Sequence, residues 1–249
     1  MIKKIALVTG AGSGIGRATS LALLEDGWTV VLAGRRLHML EETADLAQSF
    51  AGQAFPVLTD IGNPGSVDNL FTQIHQLSGR LDLLFNNAGD NVDSIPLEEV
   101  EYDDWQRVVQ TNVTGTFLCS QHAFRLMKDQ IPMGGRIINN GAPSAYVPRP
   151  DAAPFTVTKH AIAGLTSALS LEGRKYDIAC GQIDIGNVEP SEPHEPHAAK
   201  QANGTLMVEP TMDISYVADT VLMMANLPLD TNVQSVMLMP TKMPYIGRG

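Results

Sequence analysis

Cysteine is nearly missing from this chain. Cys119 and Cys180 are too few for a disulfide framework or a cysteine-rich metal centre, and free thiols of this kind are usually buried. Clusters of positive charge are missing too. The net charge of −10 and the lack of any basic run argue against a nucleic-acid partner, because phosphate binding needs grouped Lys and Arg. No apolar stretch approaches the roughly 20 residues of a membrane span, so no membrane partner is expected. The short apolar run after Lys3 and Lys4 ends at Gly10, too early for a secretory signal, and a cytoplasmic location is expected. There is no internal repeat and no linker long enough to mark a second domain. The 249 residues, 44% apolar and 18% charged, read as one globular domain over 1–249.

What is present alternates. Ile5–Val8, Thr29–Ala33, Ala54–Leu58, Leu81–Phe85 and Arg136–Asn139 are short apolar runs of the kind that fill strands buried on both faces. Between them lie segments with helical spacing, among them Arg17–Asp26, ended by Gly27, and Leu37–Phe50. Ser235–Met239 suits a last strand. Such alternation predicts an α/β fold, a doubly wound Rossmann-type parallel sheet with helices on both faces. From Asn187 to Asn203 the chain carries closely spaced prolines and charges, which predicts a flexible flap rather than a packed element.

Two glycine-bearing turns follow buried strands: Thr9-Gly10-Ala11-Gly12-Ser13-Gly14-Ile15-Gly16 after the first, and Asn86-Asn87-Ala88-Gly89 after the fourth. Glycines at the first turn let the backbone approach a pyrophosphate, and a helix starting there offers free N–H groups and a positive dipole end. With Asn112 and Lys159 downstream, this set resembles the short-chain dehydrogenase/reductase family over nearly the whole chain. The resemblance implies a nicotinamide dinucleotide bound by Gly10, Ser13, Gly14, Ile15, Gly16, Asn87, Ala88, Gly89, Lys159, Gly186 and Val188, with Asp60 and Ile61 at the adenine. It also implies a small-molecule substrate and a homotetramer built through the helices that carry Asn112 and Lys159. Phe155–Leu171, with apolar or small residues on more than one face, suits burial on two sides. The second strand ends in Gly34-Arg35-Arg36 where an acidic residue would hold a ribose hydroxyl. Two guanidinium groups there favour a 2′-phosphate, hence NADP over NAD, unless they only cover the helix surface.

The catalytic positions depart from the family. Members carry a serine, and thirteen residues later a tyrosine that protonates the substrate carbonyl as hydride arrives. Here the matching residues are Ala142 and Phe155, while Asn112 and Lys159 are kept. Loss of a positioned general acid typically lowers a rate by about 10²–10⁴, so ordinary ketone reduction should be poor. The family's Pro-Gly-x-Val-x-Thr reads Ile185-Gly186-Asn187-Val188-Glu189-Pro190, without the threonine hydroxyl. Ser144, two residues past Ala142, would share its face on a strand or extended turn and is the best stand-in for a carbonyl contact. Tyr146, Asp151 and His160 lie nearby and read as surface or loop groups. His194 and His197, among Glu189, Glu192 and Glu195, are near-spaced metal donors, but there is no third histidine and no fixed geometry, so no metal is expected.

The leading expectation is a dinucleotide-dependent oxidoreductase passing hydride to a small carbonyl, an imine or iminium, or an activated C=C bond. Two alternatives stay open: a carbonyl reductase disabled at positions 142 and 155, and a non-redox pocket (a cyclase, an isomerase or a ligand binder) on the same scaffold.

Overall fold

Ile5–Thr9 is buried throughout and forms β1, an interior strand of the sheet. Its side chains alternate between two cores, Ala6 and Val8 on one face and Ile5 and Leu7 on the other, as the period of two in a strand requires. The structure, a computed structural model, describes residues 4–50, 52–92, 94–190 and 198–247. Around β1 lie β2 (Thr29–Gly34), β3 (Gln53–Leu58), β4 (Leu83–Asn86), β5 (Gly135–Gly141), β6 (Ile178–Ile185) and, after a separate hairpin of β7 (Ala198–Lys200) and β8 (Leu206–Val208), β9 (Ser235–Leu238). The seven-stranded sheet has the order β3-β2-β1-β4-β5-β6-β9, and every pair in it is parallel.

Helices cover both faces. On one, α1 (Gly14–Glu25) and α7 (Ser215–Asn226) bring Leu23, Leu24, Val217, Val221 and Met224 to the core. On the other, α3 (Pro64–Ser78) and α5 (Thr116–Asp129) bring Val67, Leu70, Ile74, Ala123 and Met127. The remaining helices are α2 (Leu37–Leu46), α4 (Tyr102–Val109) and α6 (Ala153–Gly173). Helix α3 shows how sequence sets the ends: Asn63 accepts from Ser66 N at 3.0 Å, Pro64 opens the first turn, and Gly79 closes it with φ 67°. The doubly wound parallel sheet is therefore as the alternation predicts.

Three details differ from the sequence reading. Helix α2 stops at Leu46, four residues before Phe50, and the chain turns through Ala47 N to Ala44 O and Phe50 N to Ala47 O. Helix α1 starts at Gly14 rather than Arg17, because the glycine turn runs directly into it. The flap expected over 187–203 is in part a built element. Ala198–Lys200 pairs antiparallel with Leu206–Val208, since the prolines of the patch end at Pro196 and both segments keep every backbone N–H. Residues 191–197, which include His194 and His197, lie outside the described residues.

The order reverses beside β1, where β2 and β3 lie to one side and β4 to the other. A crevice opens there beyond the carboxyl ends of the strands, the usual ligand position in sheets of this kind. Both glycine-bearing turns empty into it. No described helix is long and apolar enough to cross a membrane.

Candidate active site at the strand ends

The β1–α1 turn is shaped by contacts that only glycine permits. Gly10 and Gly14 have φ of 68° and 51°. A Cβ on Gly16 would lie 2.1 Å from Gly10 O, so α1 can pack against the turn only with hydrogen at that position. Ser13, in extended conformation, is the residue before α1 and makes no side-chain cap. Its hydroxyl instead accepts from Arg36 Nη2 at 3.3 Å. The first-turn N–H groups of α1 are thus left without a capping side chain, and they carry the positive end of the helix dipole.

This turn walls a cavity of about 250 Å³. Gly10, Ser13, Arg35, Arg36, Asp60, Ile61, Asn87, Ala88 and Gly89 all face it, which brings nine of the residues singled out in the sequence into one space. Gly14 and Gly16 do not; they shape the turn from behind. Thr9 fixes the opposite wall: its hydroxyl accepts from Asn87 N and Ala88 N, each at 3.0 Å, and Asn87 Nδ2 donates to Thr9 O at 3.0 Å.

A second cavity, of about 510 Å³, adjoins the first and shares Asn87 and Gly89 with it. Ile15, Ala142, Ser144, Phe155, Lys159, Gly186 and Val188 lie on its wall. Ser144 reaches it from a 3₁₀ turn, Pro143–Ala145, and not from a strand, since Pro143 stops the ladder. Gly186 is held tightly: a Cβ there would meet Met243 Sδ at 2.9 Å. Tyr146, Asp151 and His160 stay off this wall. His160 Nδ1 lies 3.1 Å from Ala145 O, Tyr146 and His160 meet edge to face, and Asp151 pairs with Lys200 at 2.6 Å.

Lys159 is buried, and its Nζ donates to Asn140 O at 2.7 Å. Burial pushes its pKa down to about 8, against the pull of the Asp184 carboxylate. The Phe155 ring lies one helical turn away, its centre 5.5 Å from Nζ. Asp184, fully buried on β6, accepts from Gln182 Nε2 at 2.6 Å, and burial pushes its carboxyl up while Gln182, Ser235 and the Ala142 backbone N–H hold it down. It ends a polar chain beneath the site: Asn86 Nδ2 donates to Asn139 Oδ1 at 2.9 Å and Asn139 Nδ2 to Thr166 Oγ1 at 2.9 Å, and the Thr166 hydroxyl, whose one proton is shared between Ile162 O at 2.8 Å and Gln182 Oε1 at 3.2 Å, leads on to Gln182.

Asn112 stands behind the wall in a single π-helical turn, Gln110–Gly115, between α4 and α5. It accepts from Asp90 N at 2.7 Å and donates to Asp90 O at 2.9 Å and Thr158 Oγ1 at 3.1 Å. It therefore ties the strand-end loop to the residue preceding Lys159. At the outer end, Arg149 donates to Asn187 Oδ1 at 2.8 Å and also pairs with the buried Glu209. Glu209 further accepts from Asn187 Nδ2 at 2.9 Å and Gln201 Nε2 at 3.0 Å.

Sequence reading took Thr9 only as the start of the glycine-bearing turn, and it missed Asn140, Asp184, Arg149 and Glu209. A signal existed for two of them: Asn140 and Asp184 lie in strands of the sheet interior that also hold Arg136, Asn139 and Gln182, and buried polar groups need partners. Arg149 and Glu209 sit in loops, where composition gives no such signal. Cys119 and Cys180 are buried free thiols that burial raises to about 12.

The family model described as short chain dehydrogenase matches residues 4–201. A 3beta-hydroxysteroid dehydrogenase of Mediterraneibacter gnavus is 35% identical over 181 residues, 73% of this chain and 64% of that protein. The short-chain dehydrogenase anuF of Penicillium roqueforti is 31% identical over 95% of this chain and 88% of its own length. A metagenomic short-chain oxidoreductase solved in complex with NADP shares the fold, with a TM-score of 0.81 at 23% identity over 96% of this chain and 97% of that one. The chain belongs to the short chain dehydrogenase family.

Proposed function

We propose that this protein is an NAD(P)(H)-dependent oxidoreductase of short-chain type, with NADP(H) preferred, acting on a small molecule. When bound, the dinucleotide supplies or accepts hydride. The observation that carries the reading is the continuity of the two cavities, which share Asn87 and Gly89 and run from the uncapped start of α1 to Lys159. The glycine turn, with its free N–H groups, suits a pyrophosphate. Arg35 and Arg36, exposed at the far wall, suit a 2′-phosphate. Lys159 suits the nicotinamide ribose, and Gly186 and Val188 the nicotinamide edge. The NADP held by the metagenomic oxidoreductase of the same fold supports this reading.

Ala142 and Phe155 replace the hydroxyl pair at the reacting end, with Ser144 the remaining hydroxyl among the described residues of that wall. The acceptors favoured are therefore those that need little help from a strong acid: polarised carbonyls, iminium ions and activated C=C bonds. Ordinary ketone reduction is impaired. The protein assembles as a homotetramer through α4, α5 and α6. Stopped-flow spectra with NADPH and a panel of ketones, enones and imines test the reading; oxidation by at least one class supports it, and silence across all three refutes it. Restoring A142S with F155Y should raise ketone reduction by about 10²-fold or more, whereas a pocket repurposed away from redox chemistry would gain nothing.

A further inference from the structure

Three side chains on the described wall of the second cavity carry a full charge: Asp90, Arg149 and Lys159. Asp90 pairs with Arg107 at 2.6 Å and as a carboxylate only accepts hydrogen bonds. A guanidinium such as that of Arg149 does not release its protons. The Ser144 hydroxyl can pass a proton on, but has none to spare near neutral pH.

We propose that the Lys159 ammonium is the proton donor of this site, in place of the missing phenol, and that the acceptors are carbonyl and conjugated carbonyl compounds. This rests on the dinucleotide reading above. The geometry favours it in three ways. Lys159 lies on the same wall as Ala142 and Phe155, the two positions where family members carry hydroxyls. Among the described residues its one hydrogen bond, to Asn140 O on β5, leaves two of its three N–H groups, one for the nicotinamide ribose and one for the substrate oxygen. The groups that face it are weak holders of charge: the Phe155 ring on its own helix, the Asn140 carbonyl, and Asp184 on β6, whose attraction burial outweighs. Across the cavity, Asp90 and Arg149 are each engaged in ion pairs of opposite sign. An ammonium so placed gives up its proton about two pH units more readily than a lysine in water.

With a reduced nicotinamide dinucleotide as co-reactant, hydride joins the carbonyl carbon, or the β-carbon of an enone. The displaced π pair moves to oxygen, which forms an O–H bond as a Lys159 N–H bond breaks. Lys159 is left as a neutral amine and regains a proton from water. A preformed N-alkyl iminium ion needs no proton, since hydride alone neutralises it.

The test is an NMR titration of the intact protein labelled with ¹³Cε-lysine, from pH 6 to 11, with the Lys159 signal assigned by its loss in K159R. A midpoint near 8 is expected, and a midpoint near that of free lysine overturns the proposal. The pH profile of NADPH oxidation is then read with 2,3-butanedione, 2-cyclohexenone and N-methyl-3,4-dihydroisoquinolinium. The first two should lose about tenfold per pH unit above the same midpoint while the iminium rate stays flat. A bend shared by all three, or no turnover of either carbonyl probe at any pH, overturns the donor role. Calorimetric titration with NADPH separates the two ideas: absence of binding removes the dinucleotide reading itself, whereas binding with an ordinary lysine titration removes only the proton donor.

Discussion

Lys159 carries a stability signature as well as a chemical one. Its folded value of about 8 lies below the roughly 10.4 of a free chain, so between those pH values the unfolded chain binds more protons and stability rises with pH. Below pH 8 both states are protonated and the whole penalty for a buried charge is present, at most about 3 kcal/mol. K159M removes that penalty but leaves Asn140 O without its donor, a loss of about 1 kcal/mol. The variant should therefore be more stable by about 1–2 kcal/mol at pH 7, raising Tm by a few degrees, and the gain should fade between pH 8 and pH 10.5. Thermal scans at pH 7 and pH 10.5 check this; a variant destabilised at pH 7 would show that the charge is better solvated than its burial implies. Arg35 makes a second prediction at this scale. R35A should weaken NADPH binding by about tenfold or more while leaving NADH within a factor of two, since a charge-assisted contact to the 2′-phosphate is worth about 1.5–3 kcal/mol. Equal losses for both dinucleotides would assign Arg35 to the helix surface.

At the scale of elements, the β1–α1 turn is the part whose geometry leaves least freedom. In G16A the new methyl would stand 2.1 Å from a backbone oxygen that cannot swing away, so α1 must shift off the turn. The variant should lose dinucleotide binding in calorimetry and at least about 2 kcal/mol of stability in urea unfolding. Binding unchanged in a folded G16A would contradict the role given to this turn. A second element is held by Arg136, buried on β5, whose guanidinium donates to Leu227 O, Pro228 O, Thr231 O and Asn232 Oδ1 at 2.9–3.1 Å. R136A would empty the space of a buried side chain and take the donor from three part-buried carbonyls, and should destabilise by about 2–3 kcal/mol. These two cases also show what sequence could reveal. The glycine turn was legible because its residues are consecutive and their chemistry is local. Arg136 read only as part of a strand, because its partners lie more than ninety positions away. The π-turn holding Asn112 was equally invisible, since one extra residue per turn leaves the apolar spacing of α4 and α5 nearly unchanged. Ser144 shares a cavity wall with Ala142, but through a 3₁₀ turn that begins at Pro143 rather than through the strand or extended turn that the spacing suggested.

For the whole molecule, the two ends of the site obey different rules. The dinucleotide end is built by backbone turns at the point where the sheet reverses, so it was legible from spacing. The outer end of the second cavity is closed by loops far apart in sequence, with Arg149, Asn187 and Glu209 meeting only in the fold. The outer face of α6 bears on assembly. Val157 is 49% and Leu171 63% exposed in the isolated chain, with Ala161, Gly164 and Ala168 exposed between them at helical spacing. A stripe of that kind is better buried against another chain. Light scattering should give four times the 26.8 kDa of one chain, and V157D should lower that mass; a monomer at micromolar concentration would remove the tetramer. The central claim is that a working dinucleotide site has been kept while the family's proton donors have gone. Calorimetric titration of the purified protein with NADPH and NADH tests it most directly. Saturable binding of one dinucleotide per chain, tighter for NADPH, is the predicted result, and no detectable binding of either would contradict it.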